Sequence, residues 1–174
     1  RTAVAVRQAL RESCGAEPDI KWVNDLLLNG RKICGILTEL SIEAESGLVS
    51  YAVVGVGVNC NRGADSFPPE LRDVAGSLLS QTGRRVDRNA LAAALIRRLS
   101  ALPMPDGREE YRAACVNLSR EVQLLAPGQP PRQGLALDVD EEAALVVRTA
   151  AGVERVRSGE VSVRGLYGYV PDGI

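Results

Sequence analysis

The stretch 21–39, KWVNDLLLNGRKICGILTE, constrains the fold more than any other part of the chain. Leu26-Leu27-Leu28 and residues 33–38 are apolar runs separated by Asn29-Gly30 and two basic residues, Arg31 and Lys32. Asn-Gly between apolar runs is the strongest short-range hairpin signal, because both residues of the favoured turn take positive φ. The stretch therefore reads as one strand followed by a tight hairpin. That hairpin sets Asp25 at its mouth and Lys32 just past its turn on one small piece of sheet. Gly35 leaves the main chain bare for close approach. A carboxylate, ammonium groups and open backbone on a rigid scaffold suit an anionic substrate. Taken singly, each lysine reads as a solvated residue of a sheet face.

The flanking segments supply helices and further strands. Val6 and Leu10 lie four apart in a helix predicted over 2–13, with Gly15 as its C-terminal stop. The sequence opens inside this helix without a linker or a starting methionine, which predicts a chain cut from something longer. Pro18-Asp19 turns into a short strand at 20–23. After a polar turn at 43–47, a long apolar strand spans 48–58. Gly55-Val56-Gly57 in it superficially matches a dinucleotide fingerprint, but Cys60 stands at the third glycine position and no helix follows directly. These glycines instead let a ligand or a neighbouring backbone lie against the strand. Asn59, taken alone, reads as a strand-terminating turn residue.

A loop at 62–69 leads to a helix predicted over 70–80, stopped near Gly83. Asp87 caps the next helix, whose Leu91, Leu95, Leu99 and Leu102 hold one face before Pro103 and Pro105 break it. A last short helix is expected at 109–116. From Ser119 the texture changes to short alternating segments, at 122–125, 134–139, 144–148, 153–156 and 161–163, separated by turns such as Pro127-Gly128. Short strands at this spacing predict a small barrel.

Composition closes several functional classes. The chain of 174 residues contains no histidine, which removes Ser-His-Asp and Cys-His catalysis together. Cys14, Cys34, Cys60 and Cys115 lack C-x-x-C spacing, so they read as free buried thiols of a reducing compartment and no metal-binding residue is assigned. A net charge of −1 argues against general nucleic-acid binding. No apolar run approaches the roughly 20 residues that span a bilayer. The chain is expected to be soluble and cytoplasmic, away from nucleic acid and membrane.

The motifs taken together resemble the biotin–protein ligase family, whose central signature is usually written KWPND…(R/K)K…GIL.E. Lys21, Trp22, Asn24, Asp25, Lys32, Gly35, Ile36, Leu37 and Glu39 match it, and Val23 departs from the usual proline, altering rigidity rather than chemistry. The strand end at 53–59 matches the family's GxGxN, and 159–164, GEVSVR, matches its closing GEIS(L/V)R. The resemblance spans essentially the whole chain with its anchors in the right order. It implies an α/β (α+β) mixed-sheet, biotin-ligase-type catalytic domain over 1–117, lacking its N-terminal part, followed by a small all-β SH3-like barrel over 118–174. Nothing in 1–20 matches the family's GRGRxxR loop, and no helix-turn-helix precedes the first helix.

The activity that the resemblance implies is biotin–[acetyl-CoA-carboxylase] ligase chemistry. Biotin and ATP form biotinyl-5'-AMP, and a lysine of a biotin carboxyl carrier domain then takes the biotin. Lys32 is the expected principal cation over the carboxylate and α-phosphate, with Lys21 its weaker companion or a structural residue. Asp25 orients Lys32, holds Mg²⁺ brought with ATP, or accepts a proton from the attacking lysine. Lys32, Gly35, Ile36 and Leu37 are expected at biotin, and Asn24, Asn59 and Arg164 at the nucleotide, with Glu160 pairing Arg164. Gln123 stands where many members carry a basic residue, which removes one phosphate contact. A homodimer is compatible with the family. Two alternatives stay open at this point, a related lipoate-type ligase and a non-catalytic remnant that binds nucleotide or carrier domain.

Overall fold

Helix α1 (Thr2–Cys14) forms where the apolar spacing predicts it. Ala3, Val4, Val6, Ala9 and Leu10 are buried, and Gly15, at φ 69, closes the last turn by donating its N–H to the Arg11 carbonyl. The computed structural model describes residues 1–101, 107–157 and the backbone of 162–165. Strands β1 (Asp19–Lys21), β2 (Asp25–Leu28), β3 (Arg31–Ile42) and β4 (Val49–Val58) follow in sequence. They lie side by side in that order, each neighbour antiparallel. Asn29 and Gly30 take φ 52 and 76 in the expected tight turn. Parallel pairing enters as two isolated bridges, Ile20 with Cys115 and Lys32 with Ala75.

One face of this sheet packs on the helices. Ile20, Leu26, Cys34 and Ile36 meet Leu10 and other α1 residues, together with Leu91 and Ala94 of α3 (Arg88–Ser100). Each fully buried leucine or isoleucine contributes about 1.5–3 kcal/mol. Asp87 caps α3 as expected, accepting from the N–H groups of Asn89 and Ala90. The outer part of the β3–β4 ribbon extends past the helices, and Leu40, Leu48 and Tyr51 on it are 57%, 68% and 62% exposed.

The helix expected over 70–80 does not form. Short 3-10 turns at Ala64–Ser66 and Pro69–Leu71 precede a helix, α2, of Leu78–Thr82 only. Backbone demand elsewhere explains the loss. Lys32 N–H donates to the Val74 carbonyl and Gly76 N–H to the Lys32 carbonyl, so 74–76 serves as an extended flank of β3. Ser77 then starts α2 with a capping box shared with Ser80. The breakpoint expected at Leu102, Pro103 and Pro105 lies outside the described residues.

Helix α4 (Arg108–Ala114) leads to a second, five-stranded antiparallel sheet ordered β8-β7-β6-β5-β9. Its strands are β5 (Glu121–Leu125), β6 (Arg132–Val139), β7 (Leu145–Thr149), β8 (Gly152–Val156) and β9 (Ser162–Gly165). All five expected strands are present. Among the described residues no pairing closes β8 onto β9, so the strands form an open antiparallel sheet there. Its core holds Val122, Leu124, Ala136, Leu145 and Val147, and also Trp22, which arrives from the first sheet. Among the described residues no helix is long and apolar enough to cross a membrane.

Candidate active site

The sheet face away from α1 and α3 carries the site. Antiparallel partners point to one side, so the pairs Asp25–Gly35, Gly35–Gly57 and Leu37–Gly55 place Asp25, Gly35, Leu37, Gly55 and Gly57 on a common face. Lys32 breaks this parity, being three residues from Gly35, which would send it through the sheet in a regular strand. A register shift rescues it. Leu26 pairs with Cys34 but Leu27 pairs with Lys32, leaving Ile33 as an extra residue in β3. This β-bulge returns Lys32 to the side of Asp25. Lys32 Nζ then stands 2.8 Å from Asp25 Oδ1.

An open cleft of about 550 Å³ lies over this face, lined by Asn24, Asp25, Lys32, Gly35, Leu37 and the Gly55–Val56–Gly57 backbone. The chain's own packing does not demand this bare floor. A Cβ at Gly55 would find its nearest neighbour, the Leu37 carbonyl oxygen, at 3.8 Å, and one at Gly57 would find the Gly35 carbonyl oxygen at 3.9 Å. Both are ordinary contacts, and neither glycine has positive φ. Gly134 in β6 differs, because a Cβ there would meet Val147 Cγ1 at 2.5 Å. At Gly35 a Cβ would lie 3.3 Å from Lys32 Cε and 3.7 Å from Asp25 Oδ1, so glycine there seats the ion pair on the strand.

Beneath this floor Cys34 faces the core at 2% exposure. Burial, reinforced by the Asp25 charge and opposed by Lys32, pushes its thiol up to about 12, so it stays protonated and inert at neutral pH. The cleft presents one ammonium group oriented by one carboxylate over open backbone, an arrangement chemically suited to an anion.

The residues expected at the site divide into two groups. Asn24, Asp25, Lys32, Gly35, Ile36 and Leu37 all line the cleft. Ile36 does so through its backbone position, since its side chain belongs to the core. Lys21 lies opposite Asp25 on β1 and is not among the lining residues. Asn59 sits just past β4, where its side-chain nitrogen donates to the Gly76 carbonyl at 3.0 Å and its N–H to the Ile33 carbonyl at 2.8 Å. The backbone of Arg164 in β9 pairs with Gln123 in β5, and Glu160 lies outside the described residues. Sequence reasoning missed Tyr111, whose hydroxyl donates to the Val23 carbonyl at 3.0 Å. The signal available was one aromatic with a polar tip in an otherwise mostly charged short helix, REEYRAA.

Comparison with known proteins gives the same reading of both halves. Residues 1–59 match the Biotin/lipoate A/B protein ligase family, and 118–164 match the Biotin protein ligase C terminal domain. The chain is 34% identical over 172 residues to the bifunctional ligase/repressor BirA of Bacillus subtilis, covering 92% of this chain and 51% of that protein. It is 31% identical over 173 residues to the biotin–[acetyl-CoA-carboxylase] ligase of Paracoccus denitrificans, covering 94% of this chain and 71% of that protein. The fold is similar to that of apo biotin protein ligase from Aquifex aeolicus, with a TM-score of 0.80, 26% identity, and 94% of this chain and 72% of that one covered. The same Aquifex protein in complex with biotin and ATP matches with a TM-score of 0.77 at 26% identity, covering 94% of this chain and 69% of that one. The chain spans about half the length of the BirA proteins it matches. On the motif, the fold and these relatives alike, the chain belongs to the biotin–protein ligase family.

Proposed function

We propose that this chain carries the adenylation site of a biotin–protein ligase. It binds biotin and ATP, forms biotinyl-5'-AMP, and passes the biotin to a lysine of a biotin carrier domain of a carboxylase. The observation that carries this reading is the Lys32–Asp25 ion pair standing over the bare backbone of Gly35, Gly55 and Gly57.

The chemistry follows from charge. Attack of a carboxylate on an α-phosphate brings two anions together and builds negative charge on phosphate oxygens, so a fixed cation lowers the barrier. Lys32 is that cation, held in place by Asp25. The flat strands at Gly35, Gly55 and Gly57 accept the biotin ring system, and Leu37, 63% exposed, offers it an apolar contact. Asn24 and Asn59 serve the nucleotide side. Among the described residues the Asn59 side-chain oxygen accepts no hydrogen bond, which leaves it for an adenine amino group while Gly76 holds its nitrogen. Arg164 is assigned to the phosphates, and Lys21 supports Asp25 from the adjacent strand. Asp25 is the carboxylate of the cleft, and a single protein oxygen donor suits Mg²⁺ carried in with the ATP phosphates rather than a resident ion. The boundary between catalytic unit and C-terminal unit falls at 117/118.

Biotin-dependent exchange of pyrophosphate into ATP tests the reading, with Lys32→Ala beside the unaltered chain. Exchange is expected in the unaltered chain and a loss of about 10²–10³-fold in the variant, the scale of removing one transition-state donor. Near-normal exchange by Lys32→Ala removes Lys32 from the mechanism. Absence of exchange in the unaltered chain overturns the adenylation reading for it.

A further inference from the structure

The cleft wall at Asn24 and Ile36 has unusual support. A second cavity of about 370 Å³ lies behind it, lined by Val23, Asn24, Ile36, Tyr111 and Ala143 among others. Asn24 and Ile36 line both cavities; the Ile36 side chain is held by the first core, whereas Asn24 is exposed and close packing does not fix it. Hydrogen bonds do. Each of the four consecutive residues 22–25 is anchored to another part of the fold. Trp22 donates its backbone N–H to Asn117 Oδ1 at 2.7 Å and its indole N–H to the Ala143 carbonyl at 3.0 Å. The Val23 carbonyl accepts the Tyr111 hydroxyl at 3.0 Å. Asn24 exchanges two bonds with Ile36, its Nδ2 donating at 2.5 Å and its carbonyl accepting at 3.0 Å. Asp25 takes Lys32.

The anchors beyond the cleft are themselves tied to both sheets. Asn117 is fully buried. Val116 N–H donates to the Ile20 carbonyl at 2.9 Å, tying the end of α4 to β1. One residue past Tyr111, Arg112 grips the second sheet, donating to the Val139 carbonyl and to Asp138 Oδ2, both at 2.7 Å. Burial, with the charges of Cys115 and Asp25 adding to it, pushes the Tyr111 phenol up, so it remains a donor at all physiological pH.

We propose that Tyr111 and Asn117 are positioning residues for the adenylation site. They convey the placement of the second sheet through Trp22 and Val23 to Asn24 and Asp25, and so to Lys32. This deepens the ligase reading and rests on it for its kinetic consequence, while the structural coupling stands independently. Tyr111→Phe deletes one oxygen and leaves the ring, which makes it the cleaner variant. Asn117→Ala removes the acceptor of the Trp22 N–H and carries a greater risk to folding.

Two measurements on the 174-residue chain test the proposal together. The first is pyrophosphate exchange in a double-mutant cycle of Tyr111→Phe with Asp25→Asn. Tyr111→Phe alone is expected to lower kcat about tenfold with KM for ATP and biotin changed less than twofold, the scale of one lost hydrogen bond. In the Asp25→Asn background it is expected to add nothing, because the same path is already cut. Full additivity, or an unchanged kcat, overturns the proposal. The second is amide hydrogen exchange, which needs no turnover. Ile36 N–H is expected to exchange about tenfold faster in Tyr111→Phe, while Leu10 N–H in α1 keeps its protection. Unchanged Ile36 protection overturns the coupling. A chain inactive in pyrophosphate exchange but faster at Ile36 in the variant overturns the ligase reading and the kinetic part of the proposal, leaving the coupling itself supported.

Discussion

Gly57→Ala separates what the fold needs from what the ligand needs. Gly57 pairs with Gly35 on the open face, and an added Cβ meets nothing in the chain closer than the Gly35 carbonyl oxygen at 3.9 Å. The fold should accept it. Replacing glycine within a strand by alanine removes an entropic cost of about 0.5–1 kcal/mol. At roughly 2–4 °C per kcal/mol for a chain of this size, Tm should hold or rise by a few degrees. The methyl group nonetheless stands in the cleft, where a flat ring would lie on the strand. One methyl-sized misfit in a binding pocket costs about 1–3 kcal/mol, or roughly 10- to 200-fold in Kd. Titration calorimetry with biotin, run beside a thermal melt, reads both quantities. A Kd within twofold of the unaltered value in a stable variant would refute the claim that the bare backbone is kept for a ligand. Gly35→Ala provides the contrast, since its methyl would sit 3.3 Å from Lys32 Cε and 3.4 Å from Nζ. It should displace the lysine and slow adenylation more than it weakens biotin binding.

Three further outcomes are expected. Trp22→Ala empties a site 5% exposed within the second core and should lower stability by about 3–5 kcal/mol in urea unfolding; a loss below 1 kcal/mol would remove Trp22 as the link between sheets. Burial works against the ionised form of Asp140, yet the N–H groups of Ala144 and Glu142 and the Arg155 guanidinium outweigh it and hold its carboxyl below the usual range. Its stabilising contribution is therefore whole above the ordinary Asp value of about 3.9 and is lost as pH falls through the lower native value, so Asp140→Asn should flatten the acid limb of a Tm-against-pH curve. Cys34, with its thiol held up near 12, should resist iodoacetamide in the native chain and react after unfolding, as read by peptide mass mapping.

Much of the site was legible in the sequence because it is local. Asn29-Gly30 dictates its turn through two positive φ angles, whatever the rest of the chain does. The glycines at 55 and 57 pointed to a strand with a bare face, and β4 presents that face to the open cleft. The long helix expected over 70–80 failed for the opposite reason. Its residues satisfy helical propensity, but the backbone of 74–76 is claimed by Lys32, on a strand some forty positions away. Trp22, Tyr111 and Asn117 were illegible as a group for the same cause. Their hydrogen bonds span 88, 95 and 121 residues, and no local pattern encodes a partner at that distance.

The bulge at Ile33 lies between these extremes and decides whether the site exists. Alternation alone places Lys32 and Gly35 on opposite faces, which would bury the lysine against α1. The extra residue makes Lys32 face the cleft and lets Ile33 stay fully buried in the core. The Asn59 N–H donates to the Ile33 carbonyl at 2.8 Å, extending the β3–β4 pairing one rung beyond Cys34–Val58. Asn59 thereby holds the strand that carries Lys32. Asn59, just past β4, holds Ile33, the neighbour of Lys32 in β3, from the side opposite the irregularity in the β2–β3 ladder. A substitution that straightened that ladder would cost the cleft its cation without removing any residue from it.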